Sequence, residues 1–134
     1  MRRGEAVAAR ARALIGVRFR PQGRRPETGL DCVGAAAAAA GVPPGQVPRD
    51  YLLHGGRPVE IEHALCDLGC RPVPEERIAP GDILLLQSGP AQFHLGIFTG
   101  GGLVHADGRL RMVVERPLPL PWPLVGAWRL EEEG

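Results

Sequence analysis

The sequence predicts an α+β fold in which the helices come first and the strands follow. Apolar residues recur with a helical period in the first half of the 134-residue chain, and the second half contains short alternating runs separated by glycine- and proline-rich turns. Helices and strands that are segregated along a chain are typical of α+β proteins. We expect one domain, residues 1–134, in which N-terminal helices pack on a roughly five-stranded antiparallel sheet.

Two helices joined by a long loop are expected in the first 43 residues. Residues 5–15 place Ala, Leu and Ile on one side of a helix and arginines on the other, and residues 16–31 are rich in Gly, Pro and Arg, which favours a loop. Residues 32–40 contain a run of alanines, which are strong helix formers and allow close packing on a sheet. Gly41 and Pro43 end this second helix.

A third helix and five strands complete the predicted elements. Pro58 suits the first turn of a helix that runs to about Leu68, with Gly69 as its stop. The strands are expected near residues 83–87, 92–98, 103–106, 110–115 and 125–130. Residues 117–123 contain four prolines and should be an extended connector, because proline cannot pair within a central strand.

Three residues in and just after the third predicted helix have side chains that can bind a metal ion. His63, Cys66 and Cys70 would share one side of a helix if that helix continued past Gly69. A zinc site usually needs four ligands, and His54 is the one further candidate nearby. We therefore expect no metal here and interpret the two cysteines as buried residues of a core-facing helix.

Cys32 is the strongest candidate for a nucleophile. It lies where the loop turns into the second helix, so the unpaired N–H groups and the positive end of the helix dipole favour its thiolate. We expect a lowered thiol pKa and faster reaction with iodoacetamide than at Cys66 or Cys70. The alternative is a small buried cysteine. Asp31 has two interpretations, a helix cap or a substrate contact, and both stay open here.

Two histidines lie on a predicted hairpin of the second half. His94 belongs to residues 92–98 and His105 to residues 103–106, with a glycine-rich turn at residues 99–102 between them. Because side chains alternate along a strand, an even-numbered turn places both imidazoles on one face of the sheet. One imidazole could then orient the other as the base for Cys32, whereas the alternative is a pair of half-buried structural histidines.

Charge and cysteine content exclude several classes of function. Lys and Arg number 16 and Asp and Glu 15, a net charge of +1, so no strong field would recruit nucleic acid or an anionic membrane. Three cysteines do not make a disulfide framework. No stretch suits a membrane span or a signal peptide. We expect synthesis in the cytoplasm.

Three blocks in this order resemble the NlpC family of bacterial cell-wall cysteine peptidases, which have a circularly rearranged papain-like core. They are residues 14–19, residues 29–34 around the nucleophile, and residues 80–84 followed by 94–97 and 104–106. The resemblance implies Cys32 as nucleophile, His94 as general base and acid, His105 as the residue that orients it, and no cofactor. It also implies a peptidoglycan stem peptide as substrate, cut between D-glutamate and a diamino acid.

The residues that the resemblance places near the substrate differ from the family pattern. Phe19 stands where the family usually has a tyrosine, and Val33 replaces a serine, so two hydroxyl groups near the substrate's amino end are missing. Asp31 is the third candidate in this region. Arg20, with the other arginines of its loop at positions 18, 24 and 25, is a candidate for stem-peptide carboxylates, and a solvated charged loop is the alternative.

The resemblance also bears on how the protein reaches the cell wall and on whether it is active. A cell-wall enzyme has to leave the cytoplasm, and small members of the family without a signal peptide often accompany phage tails, so we expect delivery to the cell wall by a phage-like particle and partners in that particle. Two other functions stay open: a tail or particle component with the same fold and little activity, and a thiol amidase or acyltransferase that acts on an amide outside the wall.

Overall fold

The computed structural model describes residues 3–47 and 57–131, which form three α-helices packed on an antiparallel sheet. The helices are α1 (Arg3–Ala13), α2 (Cys32–Ala40) and α3 (Pro58–Asp67). Short 3₁₀ turns lie at Pro44–Gln46 and Glu75–Arg77. No helix within the described residues is both long enough and apolar enough to cross a bilayer.

The strands form a small hairpin and a six-stranded sheet. The hairpin pairs β1 (Arg24–Arg25) with β2 (Gly29–Leu30). The sheet consists of β3 (Cys70–Pro72), β4 (Ile83–Gly89), β5 (Gln92–Phe98), β6 (Gly102–Asp107), β7 (Met112–Pro117) and β8 (Leu124–Leu130). Their order across the sheet is β3-β8-β4-β5-β6-β7, and every pair is antiparallel. The predicted α+β architecture is confirmed, with β3 as a sixth strand beside the five expected.

The two faces of the sheet carry separate apolar cores. Ile83 and Leu85 pack with the alanines of α2 and with α1 in what we call the helix-side core. Leu84 and Leu86 alternate with them and pack on the opposite face with Leu103 and Ala127, in what we call the far-side core. The sheet therefore separates two cores. Because side chains alternate along a strand, neighbouring residues of one strand pack in different cores.

Local rules explain the position of α2. The Asp31 carboxylate caps the helix by accepting a hydrogen bond from the Gly34 N–H at 2.8 Å. Gly41 ends it in the left-handed conformation, with a φ of 82°. Gly34 lies against the loop so closely that a Cβ there would come within 2.0 Å of the Gly23 carbonyl oxygen. The start of α2 is thus fixed against the preceding loop by backbone contact.

The region after α3 corrects one expectation. The helix ends at Asp67, and Gly69 adopts a φ of 89°, so the chain turns before Cys70 and that residue begins β3. Cys66 is exposed and Cys70 is buried. The predicted stop at Gly69 is therefore confirmed, and Cys70 is buried as expected, although in a strand. The expectation of a buried Cys66 was wrong, because its position in α3 faces solvent. His54, the remaining candidate ligand, lies outside the described residues.

Candidate active site

Cys32 is the first residue of α2 and lies in the helix-side core, with 3% of its surface exposed. Its neighbour Asp31 accepts hydrogen bonds from the backbone N–H of Gly34 and Gln22 and forms a 2.9 Å ion pair with Arg24. Both side chains of this pair are buried. The interpretation of Asp31 as a helix cap is confirmed. The interpretation as a substrate contact is less favoured, because the same carboxylate is already engaged by the helix start and by the loop.

The thiol pKa does not fall as the sequence predicts. Burial, and then the negative charge of Asp31, raise the pKa of Cys32 to about 12, although backbone hydrogen bonding from Leu95, Val33 and Cys32 itself acts in the opposite direction. The helix start does favour the thiolate, but the loss of solvation outweighs it. The expectation of a lowered thiol pKa was wrong for this reason.

His94 and His105 are joined directly by a hydrogen bond. Nε2 of His94 lies 2.7 Å from Nδ1 of His105, and the two rings are nearly perpendicular, at 86°. The register that pairs Phe98 with Leu103 encloses a four-residue turn, so the predicted common face is confirmed. This hydrogen bond leaves Nδ1 of His94 as the nitrogen that can exchange a proton with a neighbour.

Burial keeps both imidazoles neutral at physiological pH. Loss of solvation is the largest effect and lowers the pKa of His94 to about 4, with the positive charge of His105 acting in the same direction. The pKa of His105 is also lowered, chiefly by burial. The carboxylate of Asp107 acts against the shift at both histidines.

The thiol lies in the helix-side core, and the two imidazoles reach the same site from β5 and β6. His94 alternates with Phe93 and Leu95, which belong to the helix-side core, so its ring faces the other way. The register between β5 and β6 pairs Ile97 with Val104 and Phe98 with Leu103. Leu95 precedes these paired residues in β5 and follows His94 directly, and its backbone hydrogen-bonds toward the Cys32 sulfur. Cys32 and the two histidines thus line one cavity.

This cavity has a volume of about 910 Å³ and contains the three predicted catalytic residues. Phe19 and Asp31, two of the predicted substrate-binding residues, also line it. The remaining lining residues are Pro21, Gln22, Ser88, Gln92, Phe93, Ala106, Asp107, Gly108, Arg109 and Trp122. Most of the wall is apolar, as is usual for a site that binds a small organic ligand.

The other predicted substrate-binding residues lie elsewhere. Val33 packs against the helix-side core. Arg20 is exposed and lines a neighbouring cavity of about 360 Å³, which shares Pro21 and Gln22 with the first one. Arg24, in contrast, is buried in the ion pair with Asp31. The arginine-rich loop is therefore only partly the solvated segment that its composition suggests.

Two residues of the site were not predicted from the sequence. The indole of Trp122 lies against both imidazoles at steep interplanar angles, with ring centroids 5.6 Å from His94 and 5.5 Å from His105. Asp107 lines the cavity, and its Oδ1 accepts hydrogen bonds from the backbone N–H groups of Arg109 and Leu110. Asp107 could have been found, because it lies two residues after His105 and so on the same strand face. Trp122 lies in the proline-rich connector, where no periodicity indicates a partner.

Comparisons with known proteins agree with this architecture. No protein-family model matches the chain, and no curated protein matches it. Among solved structures, the chain is similar to NlpC1 from Trichomonas vaginalis, with 20% identity and a TM-score of 0.68 over 94% of this chain and 44% of that one. It is also similar to the peptidoglycan hydrolase RipB from Mycobacterium tuberculosis, with 22% identity and a TM-score of 0.63 over 98% and 66%.

A third similar structure has a different activity. RipD from Mycobacterium tuberculosis is described as a non-catalytic NlpC/p60 domain protein with a peptidoglycan-binding function. It is 17% identical, with a TM-score of 0.56 over 96% of each chain. The present chain spans less than half the length of NlpC1. The matches thus establish architecture across proteins with and without catalysis, and they confirm the predicted resemblance: this chain has the papain-like fold of the NlpC/p60 domains.

Proposed function

We propose that the protein is a cysteine hydrolase that cleaves an amide bond in peptidoglycan stem peptides. The observation that carries the proposal is the arrangement of Cys32 at a helix start in one cavity with the hydrogen-bonded pair His94 and His105. A thiol, a base and a group that orients the base are the parts that nucleophilic amide hydrolysis needs. The similarity to the peptidoglycan hydrolase RipB supports the class of substrate.

The chemistry follows from the free atoms of the site. Sγ of Cys32 attacks the amide carbonyl carbon while Nδ1 of His94 takes the thiol proton. The C–N bond then breaks as His94 returns that proton to the leaving amine, which leaves a thioester on Cys32. Water hydrolyses the thioester, again with His94 as the base. The carboxylate product leaves and the thiol is restored.

The start of α2 supplies donors for the oxyanion. Asp31 satisfies the N–H of Gly34 with its carboxylate and that of Ala35 with its carbonyl oxygen. The N–H groups of Cys32 and Val33 lie next to the thiol, toward which they direct their hydrogen bonds. Backbone donors at the start of a helix in a buried site stabilise negative charge strongly. We assign the Cys32 N–H to the oxyanion formed during the attack.

The two shifted pKa values define the resting state. With the pKa of Cys32 at about 12 and that of His94 at about 4, the pair at neutral pH consists of a neutral thiol and a neutral imidazole. Proton transfer then accompanies the attack on the carbonyl, because no thiolate is formed in advance. The proposed enzyme works by general-base catalysis.

One observation favours a second function, a module that binds stem peptides without cutting them. Cys32 is almost fully buried, and within the described residues no hydrogen bond joins its thiol to an imidazole. RipD combines the same fold with a peptidoglycan-binding function and no catalysis. A binding module would use the apolar cavity and would not need the thiol.

Mass spectrometry of a purified stem peptide separates these functions. The peptide L-alanyl-γ-D-glutamyl-diaminopimelate is incubated with the protein and, as the matched control, with the Cys32→Ala variant. Cleavage by the wild type alone supports the hydrolase, with the D-glutamyl bond as the expected position. Saturable binding by both proteins without cleavage supports the binding module. If the wild type neither cleaves nor binds the peptide, both functions are contradicted.

Recognition of the peptide's amino end is tested with the same assay. Phe19 and Val33 provide no hydroxyl group, and the Asp31 carboxylate is engaged by Arg24. We therefore expect acetylation of the amino terminus to change the cleavage rate less than tenfold. A larger loss would show that another group binds the amine. Delivery by a phage-like particle stays a prediction, tested by finding the protein in purified particles.

A further inference from the structure

One ring nitrogen in the site has no hydrogen-bond partner. Nε2 of His105 is buried from solvent, and it forms no hydrogen bond with any group among the described residues. The other nitrogen of the same ring, Nδ1, is engaged with Nε2 of His94 at 2.7 Å. His105 itself is 2% exposed. A buried polar atom without a partner is uncommon and calls for a physical reason.

The proposed role of His94 determines where the protons must be. Neutral His94 can accept a proton at Nδ1 only if its own proton is on Nε2, where it is donated to Nδ1 of His105. His105, which is then an acceptor at Nδ1, must carry its proton on Nε2. The atom without a partner is therefore a donor in the active form of the site. If His105 carried the proton on Nδ1 instead, His94 would be protonated on Nδ1 and could not act as the base.

Besides His94, Trp122 is the aromatic residue recorded against the ring of His105 within the described residues. Its ring centroid lies 5.5 Å from that of His105, and the planes are at 85°, which is an edge-to-face arrangement. The negative face of an aromatic ring attracts an N–H group that points at it. His94 meets the same indole at 5.6 Å and 63°. The indole therefore lies against both rings of the histidine pair.

The indole is also held in place by its surroundings. Trp122 packs against the far-side core, and the guanidinium of Arg116 lies 5.3 Å from its ring centroid. Pro121 and Pro123 flank it and restrict its backbone. A ring that is fixed in this way can select one orientation and one tautomer of the imidazole beside it.

We propose that Trp122 is a positioning residue whose ring face accepts the Nε2–H of His105 and so holds the histidine pair in the tautomer in which His94 is the base. The inference rests on the proposed function for its purpose. Its physical content, the tautomer of His105 and the contact with the indole, can be measured whether or not the protein cleaves a peptide.

The first test is ¹⁵N NMR of the histidine rings in the wild-type protein at neutral pH. We expect the proton of His105 on Nε2, with its resonance shifted upfield by the ring current of Trp122. A proton on Nδ1 of His105 would overturn the proposal, and so would an Nε2–H resonance without an upfield shift. This arm needs no variant and no substrate.

The second test compares substitutions of the two tryptophans. Trp122→Phe keeps an aromatic face and should keep the Nε2–H tautomer, whereas Trp122→Leu should give a mixture of tautomers. Trp128→Phe is the matched control, because Trp128 is buried in the helix-side core away from the histidines. An unchanged His105 tautomer in folded Trp122→Leu would overturn the proposal.

Kinetics give the third readout if the protein cleaves the stem peptide. Trp122→Leu should lower kcat about 10- to 100-fold with KM within a factor of two, and Trp122→Phe should restore most of the rate. A raised KM with an unchanged kcat would instead show that Trp122 binds substrate, and would overturn the positioning role. If the wild type cleaves nothing, the proposed function fails while the NMR arms still decide this inference.

Discussion

Cys32 is held by residues close to it in sequence, whereas the two histidines are held by residues far along the chain. The helix start around Cys32 depends on Asp31, Gly34 and the loop at Gly23, all within eleven residues of one another. His94 contacts His105 through a hydrogen bond, and His105 contacts Trp122. One half of the site is built from a helix cap and close backbone contact, and the other from aromatic side chains.

The same physical effect acts on both halves with opposite consequences. Burial raises the pKa of Cys32 and lowers the pKa of His94, so each group is held in its neutral form. The polar caps at the helix start and the aromatic contacts around the imidazoles do not reverse this. The two halves are therefore positioned by different contacts, but the protonation state of both is set by burial in the same cavity.

The largest expected effect separates the two histidines. His94→Ala should remove nearly all turnover of a stem peptide, about 10³-fold or more, because it removes the base. His105→Ala should leave a measurable remainder, because it only loosens the base. Steady-state kinetics with both variants, checked for folding by circular dichroism, measure the order. A more damaging His105→Ala would reverse the roles assigned to the two residues.

The helix-start half is tested through its buried ion pair. Arg24→Met leaves the Asp31 carboxylate buried without its partner, and we expect a loss of about 3–5 kcal/mol in the free energy of unfolding. Arg12→Met is the control, because the Arg12–Glu115 pair is exposed, with 52% and 27% of the two side chains accessible. It should cost less than about 1 kcal/mol. Urea titration measures both, and equal losses would show that the loop does not depend on the buried pair.

The histidine half is tested by the pH dependence of stability. The pKa of His94 falls from its ordinary 6.5 to about 4 on folding, so between these values the unfolded chain binds the proton more tightly. Stability is then complete above about pH 6.5 and is lost as the pH falls toward 4, by on the order of 3 kcal/mol at most. His94→Gln should reduce that loss. Urea midpoints at pH 7 and pH 4.5 give the comparison, and an identical loss in both proteins would contradict the burial of a neutral imidazole.

The smallest effect concerns thiol reactivity and revises the order expected from the sequence. Cys66 is exposed, while Cys32 is buried with a raised pKa. Iodoacetamide at pH 7 should therefore label Cys66 first in the folded protein, and Cys32 only slowly. In urea the three cysteines should react at similar rates. Peptide mapping after brief labelling reads the order, and a faster Cys32 in the folded state would show a pre-formed thiolate and break the symmetry between the two halves.

How far the sequence could predict the molecule follows from this division. The helix start at Cys32, the stop at Gly41 and the common face of His94 and His105 follow from capping and from alternation along strands, which act over a few residues. The thiol pKa could not be predicted, because burial depends on the whole fold. The role of Trp122 could not be predicted either, since a connector between strands carries no periodic signal.

The missed strand illustrates the same limit. Cys70–Pro72 is only three residues long and contains a proline, yet it pairs with β8 at the edge of the sheet. An edge strand tolerates proline because one of its sides has no neighbouring strand that needs a backbone donor. A short segment that contains proline can therefore pair at the edge of the sheet. Pairing with a strand about 60 residues later is a tertiary effect, and no local pattern indicates it.

The contact between Gly34 and Gly23 has a consequence for how a substrate could reach the sulfur. Because the backbones of α2 and its preceding loop touch without room for a methyl group, that wall of the cavity cannot hinge open without breaking the helix cap. Trp122, in the proline-rich connector between β7 and β8, lines the same cavity and is held by side-chain contacts. We therefore expect any motion that admits a peptide to Cys32 to occur on the connector side, so that changes in that segment would alter the choice of substrate while the nucleophile stays untouched.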